Sequence, residues 1–174
     1  TRELVSRAID SVLHGHAGLA VELTVVDNGS ADDTVAALTA NYPGVRVLSA
    51  GRNLGFAKAV NWGAKGTTAE FILLLNSDAV LKPEALPTAI AWMRAHPECA
   101  VAGAQLLNPD GTPQNSIANF PTLATELLNK SLLRRLFPKR YPGKERRHTE
   151  PLEVETVIGA FMLIRRSAWD ALGG

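Results

Sequence analysis

Two aspartates in this sequence follow runs of apolar residues, and each could bind a charged ligand. The run 23–26 leads directly into Asp27, and the run 71–75 is followed by Asp78 after two polar residues. Apolar runs of this length, unbroken over 71–75 and interrupted only by Thr24 over 23–26, are typical of strands that are buried on both faces. Ligands of open α/β sheets bind beyond the carboxyl ends of such strands. The two carboxylates therefore predict one shared site, with Asx turns that close the strands as the alternative.

Asp78 is the candidate metal ligand of this site. Hard divalent cations such as Mg²⁺ and Mn²⁺ take oxygen ligands, often one or two carboxylates together with phosphate oxygens. A metal here would neutralise the charge that builds on a departing diphosphate. Asn76 could add a carbonyl ligand or cap the turn, and the cap is the favoured interpretation.

The residues at and after Asp27 have separate expected roles. Asp27 could accept hydrogen bonds from the base or ribose of a nucleotide. Gly29 allows the backbone to turn tightly, and Ser30 could cap the next helix, whose N-terminus would then face an anion. The sequence contains neither the dinucleotide-binding fingerprint nor a P-loop, which argues against ATP hydrolysis of the P-loop type.

A further polar segment, 53–58, lies between the two aspartates. Asn53 and the helix N-terminus that follows Gly55 could face a sugar or a phosphate. Lys58 could neutralise a phosphate, although a solvated position on the helix is the favoured interpretation. Asn61 follows on the same predicted helix.

The elements that must position these residues alternate between helices and strands. Apolar residues at helical spacing predict a first helix over 4–13. Further helices are predicted after Ser30, over 57–64, after Pro83, within 120–136 and around Trp169. Strands are predicted over 22–26, 45–48, 71–75, 100–107 and 154–164, the last of them broken by Gly159-Ala160. Asn-Pro-Asp-Gly at 108–111 predicts a hairpin through Gln114. This alternation predicts an α/β domain with a mostly parallel sheet.

Length and charge exclude several classes of protein. The 174 residues, 46% of them hydrophobic, suffice for one well-buried domain. A formal net charge of +1 argues against a general nucleic-acid binder. No apolar run approaches the ~20 residues of a membrane span. The basic loop 134–150 is either solvated or attracted to an anionic membrane surface or a lipid diphosphate.

Four motifs occur in the order found in glycosyltransferase family 2, at 25–34, 53–56, 75–78 and 159–166. The sequence most resembles the rhamnosyltransferase-like branch of that family, which acts in bacterial cell-surface polysaccharide synthesis. The resemblance implies a GT-A fold, a Rossmann-like three-layer α/β/α domain with a mostly parallel central sheet. It also implies inverting transfer from a nucleotide-diphosphate sugar with a divalent metal, Mg²⁺ or Mn²⁺. The expected location is cytoplasmic, with peripheral contact at the inner face of the membrane as one option.

The resemblance also assigns individual residues. Asp27 corresponds to the carboxylate that contacts the nucleotide, and Asp78 to the last position of the metal motif, where Asn76 replaces the first Asp of D-x-D. Lys58 stands where relatives often have a small residue, which implies an altered sugar pocket. The expected substrate-binding residues are Asp27, Asn28, Gly29, Ser30, Asn53, Gly55, Phe56, Lys58, Asn61, Asn76 and Asp78. The expected partners are a UDP- or dTDP-linked sugar donor, with rhamnose as one candidate sugar, and a saccharide or lipid-linked acceptor; nucleic acid is not expected.

Two departures from the family pattern concern the ends of the chain. Relatives begin with a strand before the first helix and carry an acidic catalytic base shortly after a Gly-Gly-Phe-Asp-like stretch, whereas this sequence ends at Gly174. We therefore expect residues 1–174 to form a single domain that lacks its first strand and its acceptor and base segment. The general base is expected beyond Gly174, and residues 1–174 alone are expected to be inactive. A sugar nucleotidyltransferase and a catalytically inactive nucleotide-sugar-binding or scaffold domain remain the alternatives.

Overall fold

The computed structural model describes residues 2–118, 120 and 149–174. They group into two compact units, one formed by 2–102 with 163–174 and the other by the described residues between 103 and 162. The helix predicted within 120–136 and most of the basic loop 134–150 lie outside the described residues. The contact of that loop with a membrane, the cytoplasmic location and the single-domain organisation stay predictions.

The described elements alternate as the sequence predicts. The first unit contains α1 (Arg2–Gly15), β1 (Thr24–Asp27), α2 (Thr34–Asn41), β2 (Arg46–Ser49), α3 (Phe56–Ala64), β3 (Phe71–Leu75), α4 (Ala85–Ala95) and α5 (Arg166–Leu172). The remaining strands are β4 (Val101–Gly103), β5 (Ile117–Ala118), β6 (Thr156–Val157) and β7 (Phe161–Arg165). Among the helices of the described residues, none combines the length and apolarity that a membrane crossing requires.

β1 and β2 form a parallel pair whose carboxyl ends coincide. Thr24 lies opposite Arg46 at the start of the pair, and Asp27 lies opposite Ser49 at its end. The backbone N–H of Ala50 also donates to the carbonyl oxygen of Asp27 at 2.9 Å. The loops that follow the two strands therefore leave the sheet side by side.

Helix α1 covers this pair with the apolar face that its sequence spacing predicts. Val5 and Ile9 of α1 are buried against Leu38 of α2 and Val45, and the partly buried Leu23 and Val25 pack against the same cluster. Burying a side chain of this size contributes about 1.5–3 kcal/mol. α1 is thereby fixed on the strand that carries Asp27.

The second sheet has the strand order β3-β7-β4. The N–H of Arg166, directly after β7, donates to the carbonyl of Glu70, directly before β3, and the N–H of Arg165 donates to the carbonyl of Ala100, directly before β4. The end of β7 thus meets the beginnings of its two neighbours, so β7 is antiparallel to both. The predicted parallel pairing holds for β1 and β2, whereas this sheet contains an antiparallel central strand.

The side chain of Arg165 also closes the end of α4. Its Nη2 atom donates to the carbonyl oxygens of Met93 at 2.6 Å and His96 at 3.0 Å, and its Nε atom donates to that of Cys99 at 3.0 Å. The guanidinium carbon lies 5.3 Å from the centre of the Phe71 ring. This one side chain therefore ties α4, β3 and β7 together.

In the second unit, β5 and β6 pair antiparallel, with Ile117 opposite Val157. Leu107 and Pro113 form an antiparallel bridge on either side of a turn, which confirms the hairpin predicted through Gln114. The break that the sequence predicts at Gly159-Ala160 within 154–164 is confirmed: the chain turns there, between β6 and β7.

Candidate active site

Asp27 is the most enclosed polar residue of the predicted site. It ends β1 with only 6% of its surface exposed. Its two carboxylate oxygens accept the N–H of Ser30 at 3.2 and 3.3 Å, and Oδ2 accepts the hydroxyl of Ser49 at 3.5 Å. A buried carboxylate needs such partners to offset its lost hydration. Ser49 was not predicted as a site residue; its position opposite Asp27 in the β1–β2 register is the signal that identifies it.

Ser30 supports Asp27 instead of capping the next helix. α2 begins at Thr34 with Asp33 at the N-cap position, so the predicted Ser30 cap is wrong. The chain makes a short bend over 31–33 before it enters α2, and the N–H of Thr34 there is taken by Oδ1 of Asp32 at 3.1 Å. The backbone of Ser30 is thereby left to hold the Asp27 carboxylate.

Two asparagine side chains join the loops that follow β1 and β2. Nδ2 of Asn28 donates to Oδ1 of Asn53 at 3.0 Å, and Oδ1 of Asn28 accepts the N–H of Leu54 at 2.7 Å. Oδ1 of Asn53 also accepts the N–H of Gly55 at 2.8 Å. Both asparagines were predicted site residues, and the structure brings them together in one cross-loop bridge.

Gly29 allows the two loops to approach each other. Its φ angle is +97°, a conformation that side chains rarely adopt. A Cβ atom at this position would lie 2.9 Å from the carbonyl carbon of Arg52, which is closer than packed atoms come. The tight turn predicted at Gly29 is confirmed, and it seats the β1 loop directly on the β2 loop.

Helix α3 starts at this bridged edge. It begins at Phe56 after Gly55, which has a φ of +81° and lies at an N-cap position without a side-chain cap. Gly63 of α3 lets the helix pack closely on β1, because a Cβ atom there would lie 2.8 Å from Cγ2 of Val26. The first N–H groups of α3 therefore lie at the carboxyl edge of the β1–β2 pair. No side chain at the N-cap position accepts a hydrogen bond from them.

The other α3 residues of the predicted site point outward to different extents. Phe56 is 64% exposed, which is unusual for a large aromatic side chain. Lys58 is exposed and makes no hydrogen bond or ion pair with any described residue. Asn61 is exposed too, and its amide nitrogen lies 3.1 Å from where a Cβ of Gly174 would stand. Asn61 thus contacts the segment after α5, one helical turn from the bridged edge.

Asp78 differs from Asp27 because none of the described residues holds its carboxylate. Asp78 and Asn76 are exposed, and their side chains make no hydrogen bond or ion pair with the described part of the chain. The N–H of Ala79 donates to the backbone carbonyl of Asn76 at 3.0 Å, so the backbone closes this turn and the predicted cap by the Asn76 side chain is absent. No described hydrogen bond joins Asp78 directly to the Asp27 loop.

Helix α1 supports the segment that follows Asp78. The hydroxyl of Ser11 donates to the carbonyl of Ala8 at 2.7 Å and accepts the N–H of Leu81 at 3.0 Å. A Cβ atom at Gly15, one turn later, would lie 3.6 Å from Cα of Pro83. Because α1 also packs on β1, it links the two aspartate-bearing loops. The signal in the sequence is the pair of small residues at i and i+4 on α1.

The donor set around Asp78 limits how a metal could be held. The residues described in the structure contain no group of three or more His, Cys, Asp or Glu side chains able to hold a cation. Asp78 offers two unpaired carboxylate oxygens, and Asn76 offers one amide oxygen. Mg²⁺ and similar ions are commonly held by one or two carboxylates with substrate phosphates and water as the other ligands. The residues present fit a metal of that kind, completed by a diphosphate.

The chain is similar in sequence to known glycosyltransferases. The chain is 28% identical over 169 residues to an N-acetylglucosaminyl-diphospho-decaprenol L-rhamnosyltransferase of Mycobacterium tuberculosis, which covers 88% of the chain and 55% of that protein. It is 26% identical over 112 residues to the amylovoran biosynthesis glycosyltransferase AmsE of Erwinia amylovora, covering 63% of the chain and 42% of that protein. The chain thus spans about half the length of these relatives.

A solved structure has a similar fold. The mannosyltransferase PcManGT from Pyrobaculum calidifontis, in complex with GDP-Man and Mn²⁺, superposes with a TM-score of 0.61 at 18% identity, covering 100% of this chain and 44% of that one. This likeness confirms the predicted GT-A fold. The family model for glycosyl transferase family 2 matches residues 2–173. The chain therefore belongs to glycosyltransferase family 2.

Proposed function

We propose that this chain binds the donor of an inverting glycosyltransferase that acts in cell-surface polysaccharide synthesis. The donor is a nucleotide-diphosphate sugar, with UDP or dTDP as the carrier, and the acceptor is a saccharide or a lipid-linked saccharide. The observation that carries the proposal is the buried Asp27 carboxylate, held at a sheet edge where Asn28 and Asn53 join two loops. The names of the relatives support a sugar-transfer reaction, and the rhamnosyltransferase makes rhamnose one candidate sugar.

Asp27 would contact the nucleoside part of the donor. Its carboxylate is kept in one orientation by Ser30 and Ser49 and retains lone pairs for the base or the ribose hydroxyls. The N–H groups at the start of α3 would attract the diphosphate, because a helix N-terminus carries partial positive charge. The exposed Lys58 would add a full positive charge on the same helix, and Phe56 an exposed ring.

Asp78 and Asn76 would hold the divalent metal, Mg²⁺ or Mn²⁺, together with the diphosphate oxygens. When bound, such an ion offsets the negative charge of the leaving diphosphate. Asp78 suits this part because its carboxylate oxygens are exposed and make no bond with the described residues. The Ser11–Leu81 hydrogen bond keeps the loop after Asp78 close to α1.

The transfer itself is a single displacement. A hydroxyl oxygen of the acceptor forms a bond to the anomeric carbon while the bond from that carbon to the diphosphate oxygen breaks. The diphosphate leaves with the bonding electron pair, and the hydroxyl proton passes to a general base. Attack from the opposite side inverts the anomeric centre. We place the base outside residues 1–174, so we expect these residues alone to show no transfer, and measurable turnover by them would contradict this placement.

Nucleotide titration tests the proposed donor site. UDP, dTDP and GDP, each with MnCl₂, are titrated calorimetrically into the wild-type chain and the Asp27→Asn variant. We expect at least one nucleotide to bind and the variant to bind it at least tenfold more weakly, a loss of about 1.4 kcal/mol. Glu98→Gln is the matched control, because it removes a charge from an exposed carboxylate that has no partner among the described residues.

The same titration separates the alternatives. Absence of binding by all three nucleotides, or equal binding by wild type and Asp27→Asn, would refute the donor site. Binding by wild type without sugar transfer, in a protein that extends beyond Gly174, would favour an inactive nucleotide-sugar-binding domain. Formation of a nucleotide sugar from a nucleoside triphosphate and a sugar phosphate would favour the nucleotidyltransferase.

A further inference from the structure

Phe56 is exposed although it lies on the face of α3 that packs on β1. Ala59, three residues later, is buried, and a Cβ atom at Gly63, seven residues later, would lie 2.8 Å from Cγ2 of Val26 in β1. Side chains at positions i, i+3 and i+7 of a helix share one face. Phe56 therefore continues the face that meets the strand, yet 64% of its surface is exposed.

The exposure of this ring arises because the helix extends further than the strand at the carboxyl edge. Seven residues of helix between Phe56 and Gly63 span about 10 Å. Beyond Val26, β1 continues by a single residue, Asp27, which adds about 3 Å. The Cα–Cβ bond of a helical residue also tilts toward the helix N-terminus. The ring of Phe56 thus extends past the end of β1, at the edge where Asp27 lies.

The backbone below this ring is fixed, while the ring itself is accessible. Oδ1 of Asn53 accepts the N–H of Gly55 and the Nδ2 group of Asn28, so the residue before Phe56 belongs to the cross-loop bridge. A Cβ atom at Gly55 would meet no atom within 4 Å. Within the described residues, the ring makes no aromatic stacking or cation–π contact. A ligand at this edge can therefore reach the face of the ring without displacing a protein group from it.

The chemistry of Phe56 and Asp27 selects the part of a donor that this edge suits. A phenyl ring offers a flat apolar face and no hydrogen bond, so a diphosphate gains nothing from it. The Asp27 carboxylate offers acceptor lone pairs in a fixed orientation. A nucleobase is flat and carries N–H groups on its edge, so it can use both groups at once. Stacking on an aromatic side chain is also a common way in which proteins bind single bases.

We propose that the ring of Phe56 stacks on the nucleobase of the donor, beside Asp27. This inference rests on the proposed function, because it assigns one more contact to the same donor site. The stacking fixes the plane of the base, and the cross-loop bridge of Asn28 and Asn53 fixes the backbone that carries the ring. Phe56 thus contributes to binding of the nucleotide and takes no part in the bond changes of the transfer.

Proton NMR of the nucleotide tests the stacking directly. UDP, dTDP and GDP, each with MgCl₂, are titrated with the wild-type chain. For a nucleotide that binds, we expect the base protons to shift upfield more than the anomeric ribose proton, because the ring current of a phenyl group shields protons that lie over its face.

Three variants identify the source of that shift. Phe56→Leu keeps an apolar side chain but removes the ring, so it should abolish the upfield shift and weaken binding about fivefold or more. Phe56→Tyr keeps the ring and should retain the shift, with affinity within about twofold of wild type. Val21→Ala is the control, because Val21 is an exposed apolar residue that precedes β1, at the opposite end of the strand from Asp27. It should change neither the shift nor the affinity.

The outcomes separate this proposal from the donor site itself. If a nucleotide binds, and Asp27→Asn weakens it while Phe56→Leu does not, the stacking is refuted and the donor site stands. If no nucleotide binds, the proposed function fails and the stacking fails with it. A Phe56→Leu effect seen with a nucleotide sugar but not with the free nucleotide would place the ring on the sugar and overturn the assignment. Equal losses in Phe56→Leu and Phe56→Tyr would also overturn it, because the tyrosine keeps the ring.

Discussion

The carboxyl ends of β1 and β3 each present an aspartate, but the protein treats the two carboxylates in opposite ways. Asp27 is buried and accepts hydrogen bonds from Ser30 and Ser49, whereas Asp78 is exposed and accepts none from the described residues. The first carboxylate is oriented by the fold, and the second is free for a ligand. In the proposed donor site, the nucleoside end is then preorganised by the fold, and the diphosphate end is completed on binding.

Gly29→Ala should produce the largest loss of stability, because it would push apart the loops that follow β1 and β2. The new methyl group would overlap the Arg52 backbone at 2.9 Å, and the positive φ of +97° would be strained. We expect the free energy of unfolding to fall by about 2–4 kcal/mol. Urea denaturation measures this change. Gly44→Ala is the control, because a Cβ there meets nothing within 4 Å; equal effects of both substitutions would contradict the close approach of the loops.

Asn28→Ala should have the next largest effect, because it removes both side-chain bonds between the β1 and β2 loops. We expect a loss of about 1–2 kcal/mol. A double-mutant cycle with Asn53→Ala should give a coupling energy of about 0.5–1.5 kcal/mol. Additive effects of the two substitutions would show that the bridge does not stabilise the edge.

Ser11→Ala should have a smaller effect, confined to the side of Asp78. It leaves the N–H of Leu81 without its acceptor, which costs about 1 kcal/mol. Faster hydrogen exchange of the Leu81 amide, followed by NMR, would locate the change. Ser6→Ala on the same helix is the control, because the Ser6 hydroxyl has no partner among the described residues. Unchanged exchange at Leu81 would argue against a support role of α1.

Asp78→Ala should change the stability of the unliganded protein least, by no more than about 0.5 kcal/mol, because its carboxylate makes no bond with the described residues. The rise in Tm that UDP with MnCl₂ produces should nevertheless shrink, since the metal-dependent part of binding is lost. Glu98→Ala serves as the control for loss of an exposed carboxylate. A Tm rise equal to that of wild type would contradict the proposed role of Asp78 as a metal ligand.

Local patterns in the sequence predicted the elements of this site well. The apolar runs 23–26 and 71–75 correspond to β1 and β3, and the helical spacing of 4–13 corresponds to α1. The spacing of apolar residues shows which face of a helix or strand is buried, and burial of that face is what stabilises these elements. The motif order likewise predicted the family and its GT-A fold.

Contacts between distant residues could not be predicted in the same way. Asn28 and Asn53 are 25 residues apart, and their hydrogen bond depends on the β1–β2 register. Ser11 and Leu81 are 70 residues apart and meet only after α1 packs on the core. The prediction that Ser30 caps α2 was wrong because three residues separate Ser30 from the first residue of the helix. The preference of serine for N-cap positions does not determine at which residue a helix begins.

The position of β7 between β3 and β4 also affects how the chain can fold during synthesis. β3 ends at Leu75 and its neighbour β7 begins at Phe161, so 85 residues must be translated before the two can pair. At roughly 5–20 residues per second, this takes on the order of 4–17 s. An unpaired strand edge is prone to association with other chains during such an interval. Until β7, with Arg165, leaves the ribosome, the nascent protein exposes one edge of β3 and one edge of β4 that the folded protein pairs.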